Sequence, residues 1–526
     1  MKRKLRSGLS ASLLAVAACV ALHAPDSLAA GDAQTLLKQN CMGCHTPEAD
    51  NGLSRISHQR KTPEGWLMSI ARMQTMHGLK ISDEDRRTLV KYLADTQGLA
   101  PSETDGMRYA LERRLNAAEH FDEQTTQMCG RCHSGARVAL QRRPAQEWER
   151  LVNFHLGQWP SLEYQALSRD REWFDLARTE MVPVLAERYG LDNPAWKQWQ
   201  SVAPESDTLV GDWSFSGHLP GKGDVAGVMS VTADGKDTFK VSVKGQYADG
   251  TPFNGDGSAL LYSGYEWRAN VNIDGVAMRQ VFAARDHLME GRMFEADHDE
   301  RGLDFIAAQQ GSSRLLSVQP AYVKAGTETD VTLIGSDLKG TPDFGKGVQV
   351  VKVLAQTPQR ITVRVKAAAD AQPGVREVAV GALKGPSLAV YNRIAEVKVV
   401  PQFAVARVGD GGGSTPKVQG RFDAEAWGKG ADGTLYRIGV VPAKWSVEAF
   451  NEQAKEDEDV KFAGTMQADT GIFTPGDAGP NPLRKMSTNN AGNLKVIAAV
   501  DDAGQPLTGA GQLIVTLQRW NNPPIP

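Results

Sequence analysis

The chain has 526 residues, 41% apolar and 23% charged, with a formal net charge of −3. It is too long for one hydrophobic core and average enough in composition to fold as several packed domains, which excludes a disordered or collagen-like chain. A near-neutral, mildly acidic balance gives no electrostatic basis for binding a polyanion such as nucleic acid.

Residues 1–30 read as a secretory signal. A basic start (Lys2, Arg3, Lys4, Arg6) precedes an apolar run over residues 9–22 and the small-residue end Ser27, Leu28, Ala29, Ala30. The run is too short for a membrane span. Cleavage is expected near Ala29 or Ala30, with Cys19 in "VAAC" as an alternative lipoprotein site. Either route takes the mature chain out of the cytoplasm.

From about residue 31 to 204 the pattern is helical. "SDEDRRTLVKYLADT" (residues 82–96) opens on an N-cap serine and an acidic turn, then places Leu89, Val90 and Leu93 at helical spacing. "PAQEWERLVNF" and "DREWFDLARTEMVPVLAERYG" are also amphipathic, the second with Gly190 as its expected C-cap.

Two pentapeptides stand in this region: "CMGCH" (residues 41–45) and "CGRCH" (residues 129–133). Cys-x-x-Cys-His is the attachment pattern of c-type haem. Two thiols one helical turn apart add to the porphyrin's two vinyl groups, and the following histidine lies under the ring as an iron ligand. Cys41, Cys44 and His45 would hold one haem, and Cys129, Cys132 and His133 a second. A zinc site needs four ligands and could draw on both pairs; a pair of disulfides leaves the histidine after each pair unexplained, and a redox dithiol expects a βαβ surrounding absent here.

The two halves align on "WLMSIARM" and "WERLVNFH". Trp66 is followed seven residues later by Met73, and Trp148 by His155. Seven residues are two helical turns, so each tryptophan shares a face with a ligand-type side chain. Met73 and His155 are therefore the expected sixth ligands. Met76 and His77 are alternatives to Met73, with Met68 and His58 behind them. Met181 and His120 compete with His155. A Met/His iron is expected at higher potential than a His/His iron, so electrons would run from the second haem to the first.

From Thr208 onward, strand alternation and Gly/Asn/Asp turns dominate. Breaks at "SVQPAYVKAGTETDVTLIGSDLKG" and at the glycine run over residues 409–413 divide this part. The expected architecture is an N-terminal α-helical dihaem cytochrome c region, halves 31–115 and 116–204, followed by three antiparallel β domains. These are a barrel at 205–312, an immunoglobulin-like IPT-type domain at 313–399 and a β-sandwich at 400–526. "NEQAKEDEDVKF" reads as a solvated loop, and His218, His287 and His298 as ordinary strand or surface residues.

"KQNCMGCHTPEADNGLSRISHQRKTPEGWLMSIARMQTMHG", "QMCGRCHSGARVALQRRPAQEWERLVNFHLGQWPS" and "WSFSGHLPGKGDVAGVM", with the order of domains, resemble the haem-carrying α subunit of quinohaemoprotein amine dehydrogenase. The resemblance spans essentially the mature chain. It implies a periplasmic αβγ heterotrimer that oxidises primary amines, with a propeller β subunit and cysteine tryptophylquinone in the γ subunit. It implies for this chain two covalent haem c groups and electron delivery to a soluble copper protein or cytochrome. With the signal cut near Ala30, every mature cysteine is assigned to haem, so the quinone belongs on a partner and no catalytic residue is expected here. Two other readings are a dihaem peroxidase with chemistry at its own haem and a free-standing electron carrier.

Overall fold

The computed structural model describes residues 30–164, 170–411 and 413–517; residues 1–29 of the expected leader, with Cys19, lie outside them. Helix α1 (Ala30–Cys41) runs directly into the first pentapeptide. Helix α2 (Pro63–His77) starts where the Thr62 hydroxyl accepts the Gly65 N–H, and ends at Gly78 in the left-handed region. Helix α3 (Asp83–Thr96) is capped by Ser82, whose hydroxyl accepts the Asp85 N–H, and buries Leu89, Val90 and Leu93. These three helices share a core built around Leu37, Leu53, Trp66, Ile70, Leu89 and Leu93.

The second half repeats this plan around helix α4 (Ala145–Gln158), whose Trp148 and Val152 pack against Met128, Met181 and Leu185. Its last helical stretch is not continuous. A wide-turn segment, Ala177–Met181, separates Trp173–Leu176 from helix α5 (Val182–Arg188). Pro183 explains the break, because it has no N–H to give and its ring crowds the carbonyl four residues back. The helix ends at Tyr189, and Gly190 is not its left-handed cap. The glycine is needed for another reason: a Cβ there would stand 2.6 Å from the Ala186 carbonyl oxygen.

Strands β1 (Arg60–Lys61) and β2 (Gln141–Arg142) pair antiparallel and tie the two halves together, with Arg60 opposite Arg142. Both arginines donate to Glu103, Arg60 through Nη1 and Nη2 at 2.7 and 2.9 Å and Arg142 through Nε at 2.9 Å. All three side chains are buried, and a buried carboxylate with two bidentate or forked guanidinium partners is held in the charged form.

The chain then forms an eight-stranded closed barrel: β3 (Gly211–Leu219), β4 (Gly223–Gly235), β5 (Thr238–Tyr247), β6 (Pro252–Tyr262), β7 (Glu266–Ile273), β8 (Val276–Arg285), β9 (Leu288–Glu295) and β10 (His298–Gln309), with β10 closing on β3. Alternate residues point inward, and the interior is filled by Trp213, Phe215, Phe239, Trp267, Phe282 and Phe305. The next unit packs two four-stranded sheets face to face, with Val331, Ile361 and Val363 from one meeting Val378, Leu388 and Val390 from the other. The last unit combines a three- and a four-stranded sheet over Val397, Ala424, Leu494 and Leu513, with a further small sheet.

The sheets are not wholly antiparallel. Tyr322–Lys324 runs parallel to Leu383–Tyr391, and Phe403–Arg407 parallel to Pro506–Thr516. In each case the early strand pairs with the last strand of its unit, bringing the two ends of the chain segment side by side. The acidic stretch at 451–462 is not a loop. It forms helices Glu452–Glu456, capped by Asn451, and Asp459–Phe462, with Asp459 buried against Arg484 at 2.6 Å. Among the described residues no helix is long and apolar enough to cross a membrane.

The helical module sits on the barrel through Arg108, which grips Glu266 at 2.7 and 3.1 Å, and Arg268, which reaches Glu64 at 2.6 Å. Tyr265 Oη adds a hydrogen bond to the Leu99 carbonyl, and Leu99, Leu140, Val281 and Phe294 bury apolar surface across the junction.

Candidate functional site

Each pentapeptide follows helical backbone. After α1, the Cys44 and His45 N–H groups both donate to the Cys41 carbonyl, closing a single turn that spans the two cysteines. Cys129 sits in a wide-turn segment, Thr126–Gly130, preceded by Asp122 as the cap of Glu123–Thr125. In both halves the first cysteine is half-buried, the second is exposed, and none is in a disulfide. Burial, reinforced by Cys44, pushes the Cys41 thiol up to about 11; burial, reinforced by Asp122, does the same to Cys129. Thiols of that kind are poor nucleophiles at neutral pH, the opposite of a redox dithiol. No group of three or more His, Cys, Asp or Glu side chains is gathered as a metal cluster among the described residues, so the two pairs do not assemble a zinc site.

The histidines are oriented alike. His45 Nδ1–H donates to the Ser54 carbonyl at 2.8 Å, His133 to the Ser134 carbonyl at 3.0 Å and His155 to the Leu151 carbonyl at 2.8 Å. A carbonyl can only accept, so the proton is on Nδ1 and Nε2 keeps its lone pair for a metal. Burial lowers both His133 and His155, favouring the neutral imidazole that a metal binds.

His155 is where the two halves differ most clearly. Its ring centre lies 6.5 Å from that of His133. An imidazole nitrogen is ~1.1 Å from its ring centre and ~2.0 Å from a bound metal, so two imidazoles on opposite sides of one ion have centres ~6.2 Å apart. The observed spacing fits one iron between them. Met181, the rival, is buried in the helical core.

In the first half, Met73 follows Trp66 and Ile70 on the buried stripe of α2 and is half-buried. Met76 and His77, at the end of the same helix, are exposed. Met68 instead accepts a hydrogen bond from Arg137 at 3.0 Å, and His58 pairs with Glu48 at 2.8 Å.

The internal repeat extends past the ligands. "RKTPEGW" and "RRPAQEW" place two basic residues six and five positions before each tryptophan. Lys61 N–H donates to Gln97 and Arg143 N–H to Tyr189, each at 3.0 Å, so equivalent residues make equivalent bonds. The repeat upstream of Trp66 and Trp148 marks these pairs in the sequence, although ligand-type residues alone do not. His218, in the barrel, is also more than a surface residue. It bridges Asp224 at 2.9 Å and Asp423 at 3.1 Å, joining the barrel to the last unit.

Comparison with known proteins agrees with this layout. Residues 31–196 match the family model described as quinohemoprotein amine dehydrogenase A, alpha subunit, haem binding. Residues 206–310, 312–392 and 397–525 match the models of alpha subunit domains II, III and IV of the same enzyme. Among curated proteins none matches the chain. Solved structures give partial likenesses. A redesigned β barrel, mFAP1, bound to DFHBI is 15% identical over 20% of this chain and 98% of its own, with TM-score 0.18. The SGBP-B protein of a Bacteroides ovatus mixed-linkage glucan utilization locus is 9% identical over 58% of this chain and 60% of its own, with TM-score 0.17. Cadherin-like domains 1 to 4 of zebrafish RET are 9% identical over 61% and 67%, with TM-score 0.17.

A helical haem-binding module followed by a closed barrel and further β-sheet units defines a multidomain haem protein of an oxidoreductase complex. With four domain models matched in order across its length, the chain belongs to the α-subunit family of quinohemoprotein amine dehydrogenase.

Proposed function

We propose that this chain is the dihaem c electron-transfer subunit of a periplasmic amine dehydrogenase. Cys41, Cys44 and His45 hold one haem, with Met73 opposite the histidine. Cys129, Cys132 and His133 hold the other, with His155 opposite. The observation that carries this reading is the His133–His155 pair, 6.5 Å apart, with both Nδ1 atoms already committed to carbonyls.

Haem supplies a one-electron site on each iron. The chain's residues fasten it by thioethers, fix the imidazole tautomer and shield it with the cores around Trp66 and Trp148. Methionine ligation raises the potential relative to bis-imidazole, so electrons pass from the His133/His155 centre to the His45/Met73 centre. Their source is the reduced form of a cysteine tryptophylquinone on a γ subunit, which takes up two electrons as a primary amine is oxidised to aldehyde and ammonia and gives them up one at a time. A β propeller completes the heterotrimer, and a soluble copper protein or cytochrome takes the electrons onward. Export by the N-terminal signal accounts for haem attachment and for the location.

On this reading the haem halves are 31–115 and 116–204. The barrel (205–312) and two immunoglobulin-like units, the IPT-type 313–399 and the sandwich 400–526, form a platform for the partners. The face-to-face sheets and the parallel return of a short early strand support the immunoglobulin-like assignment. Mass spectrometry of the exported protein with its partners tests the whole reading: two haems on one chain and a cross-linked small subunit are expected. A colourless chain with free or disulfide-bonded cysteines would refute it. Prompt cyanide binding to the resting protein would favour chemistry at its own haem instead.

A further inference from the structure

Between the two halves lies a concentration of positive charge that the protein's own acids do not match. Arg72, one residue before Met73 on α2, lays its guanidinium over the ring of Phe154 at 4.7 Å, one residue before His155 on α4. Arg137, four residues after His133, reaches the other way and donates to Met68 Sδ on α2 at 3.0 Å. Each half thus sends an arginine onto the other half's ligand helix. Lys61 and Arg143 stand behind them, each over its own tryptophan at 5.2 and 5.8 Å. The acid in this group is Glu147, and it is shared among Arg55 at 3.4 Å, Arg143 at 3.8 Å and Arg150. Among the described residues neither Arg72 nor Arg137 has a carboxylate partner.

Charges withdrawn from water without a counter-ion are costly, and proteins pair them. Burial, then Arg143 and Arg72, pull Lys61 well down; burial lowers Arg72 and Arg137 as well. Arg137 is nevertheless exposed, so its guanidinium is open to an anionic group. Arg72 lies over the ring of Phe154, next to His155, and Arg137 follows His133 by four residues, so both arginines are placed with the candidate ligands of the second haem site.

We propose that Arg72 and Arg137 receive the carboxylate side chains of the second haem, with Lys61 and Arg143 as a cationic backing. The inference rests on the dihaem reading above. It makes Arg72 a positioning residue with a double position: attached to the first haem's ligand helix, it binds the second haem's carboxylate, so the two centres share one electrostatic environment. A guanidinium offers two parallel N–H groups that match a carboxylate, which explains why arginine stands at both places. Neutralising a carboxylate next to an iron also favours the reduced iron.

The test uses the full, haem-loaded protein with Arg72→Gln, Arg137→Gln and the charge-keeping Arg72→Lys and Arg137→Lys. Haem content is measured first. Resonance Raman bands of the haem carboxylates and the two midpoint potentials are then compared with the parent. The glutamine variants are expected to shift the carboxylate bands. They should also move the second haem's midpoint down by about 59 mV, a tenfold change in its one-electron equilibrium, with the lysine variants closer to the parent. Loss of the second haem from the glutamine variants with recovery in the lysine variants would also support the proposal. Bands and potentials unchanged with both haems bound would overturn it, as would loss of haem from the lysine and glutamine variants alike. A parent midpoint that follows inorganic phosphate concentration, with carboxylate bands unmoved, would give the cluster to a free anion instead. A parent protein without haem would fail the dihaem reading rather than this assignment.

Discussion

His155 is fixed at two points: its Nδ1–H by the Leu151 carbonyl one turn earlier, and its ring by Trp173 with centres 6.3 Å apart. That rigidity lets one substitution report on ligation. His155→Met should keep the second haem but raise its midpoint by about 59 mV or more, at least a tenfold shift in the one-electron equilibrium, because thioether ligation favours the reduced iron. A spectroelectrochemical titration checks it, and an unmoved midpoint would remove His155 from the iron. Much of this site was legible from residues alone. The Cys-x-x-Cys-His runs and the seven-residue interval from each tryptophan carry chemical and helical constraints that need no tertiary information. His218 was not legible, because Asp423 is 205 positions away and nothing local distinguishes a bridging imidazole from a surface one.

At the scale of elements, local rules succeed where the element is bounded by its own side chains. Ser82 announces α3 and the structure uses it as the cap. They fail where geometry overrides the local signal. Gly190 looks like a left-handed cap, yet its role is close approach to Ala186, and Pro183 replaces one long helix by three pieces. The acidic stretch after Asn451 looked soluble and loop-like because the partner of Asp459, Arg484, is 25 residues on. The barrel depends on glycines where strands coil tightly. A Cβ on Gly257 would stand 2.0 Å from the Asn270 carbonyl oxygen of the neighbouring strand, so neither strand can yield without losing its ladder. Gly257→Ala should lower stability by about 1–3 kcal/mol, measured by denaturant unfolding followed at the barrel's tryptophans. An unchanged midpoint would mean that the ladder relaxes locally.

The molecule as a whole is joined by charged contacts between units. Burial alone would lower His218, but the carboxylates of Asp224 and Asp423 outweigh it and raise the imidazole to about 10. A group raised above its unfolded value of ~6.5 contributes fully below that pH and loses its contribution as pH climbs toward the folded value. The clamp between barrel and last unit should therefore weaken from about pH 6.5 to about pH 10. Thermal melting across that range should fall more steeply for the parent than for Asp423→Asn; parallel curves would contradict the clamp. At the helical end, burial would raise Glu266, but Arg108 and Arg268 hold it at about 2. A carboxylate depressed in this way stabilises above its unfolded pKa of ~4.3 and gives that stability up as pH falls toward the folded value. The seat of the haem module on the barrel should hold at neutral pH and loosen only in strong acid. The expected outcome is loss of haem-module protection in hydrogen exchange below about pH 4, before the barrel interior opens.

These joints matter because the proposed task is electronic: two irons must keep fixed separation and unequal potentials while partners bind elsewhere on the chain. Low-temperature electron paramagnetic resonance of the oxidised, full-length protein reads the ligands of both irons at once. Two low-spin ferric signals, one of bis-imidazole type and one of imidazole–thioether type, are predicted. A high-spin signal from either iron, or two identical signals, would contradict the account.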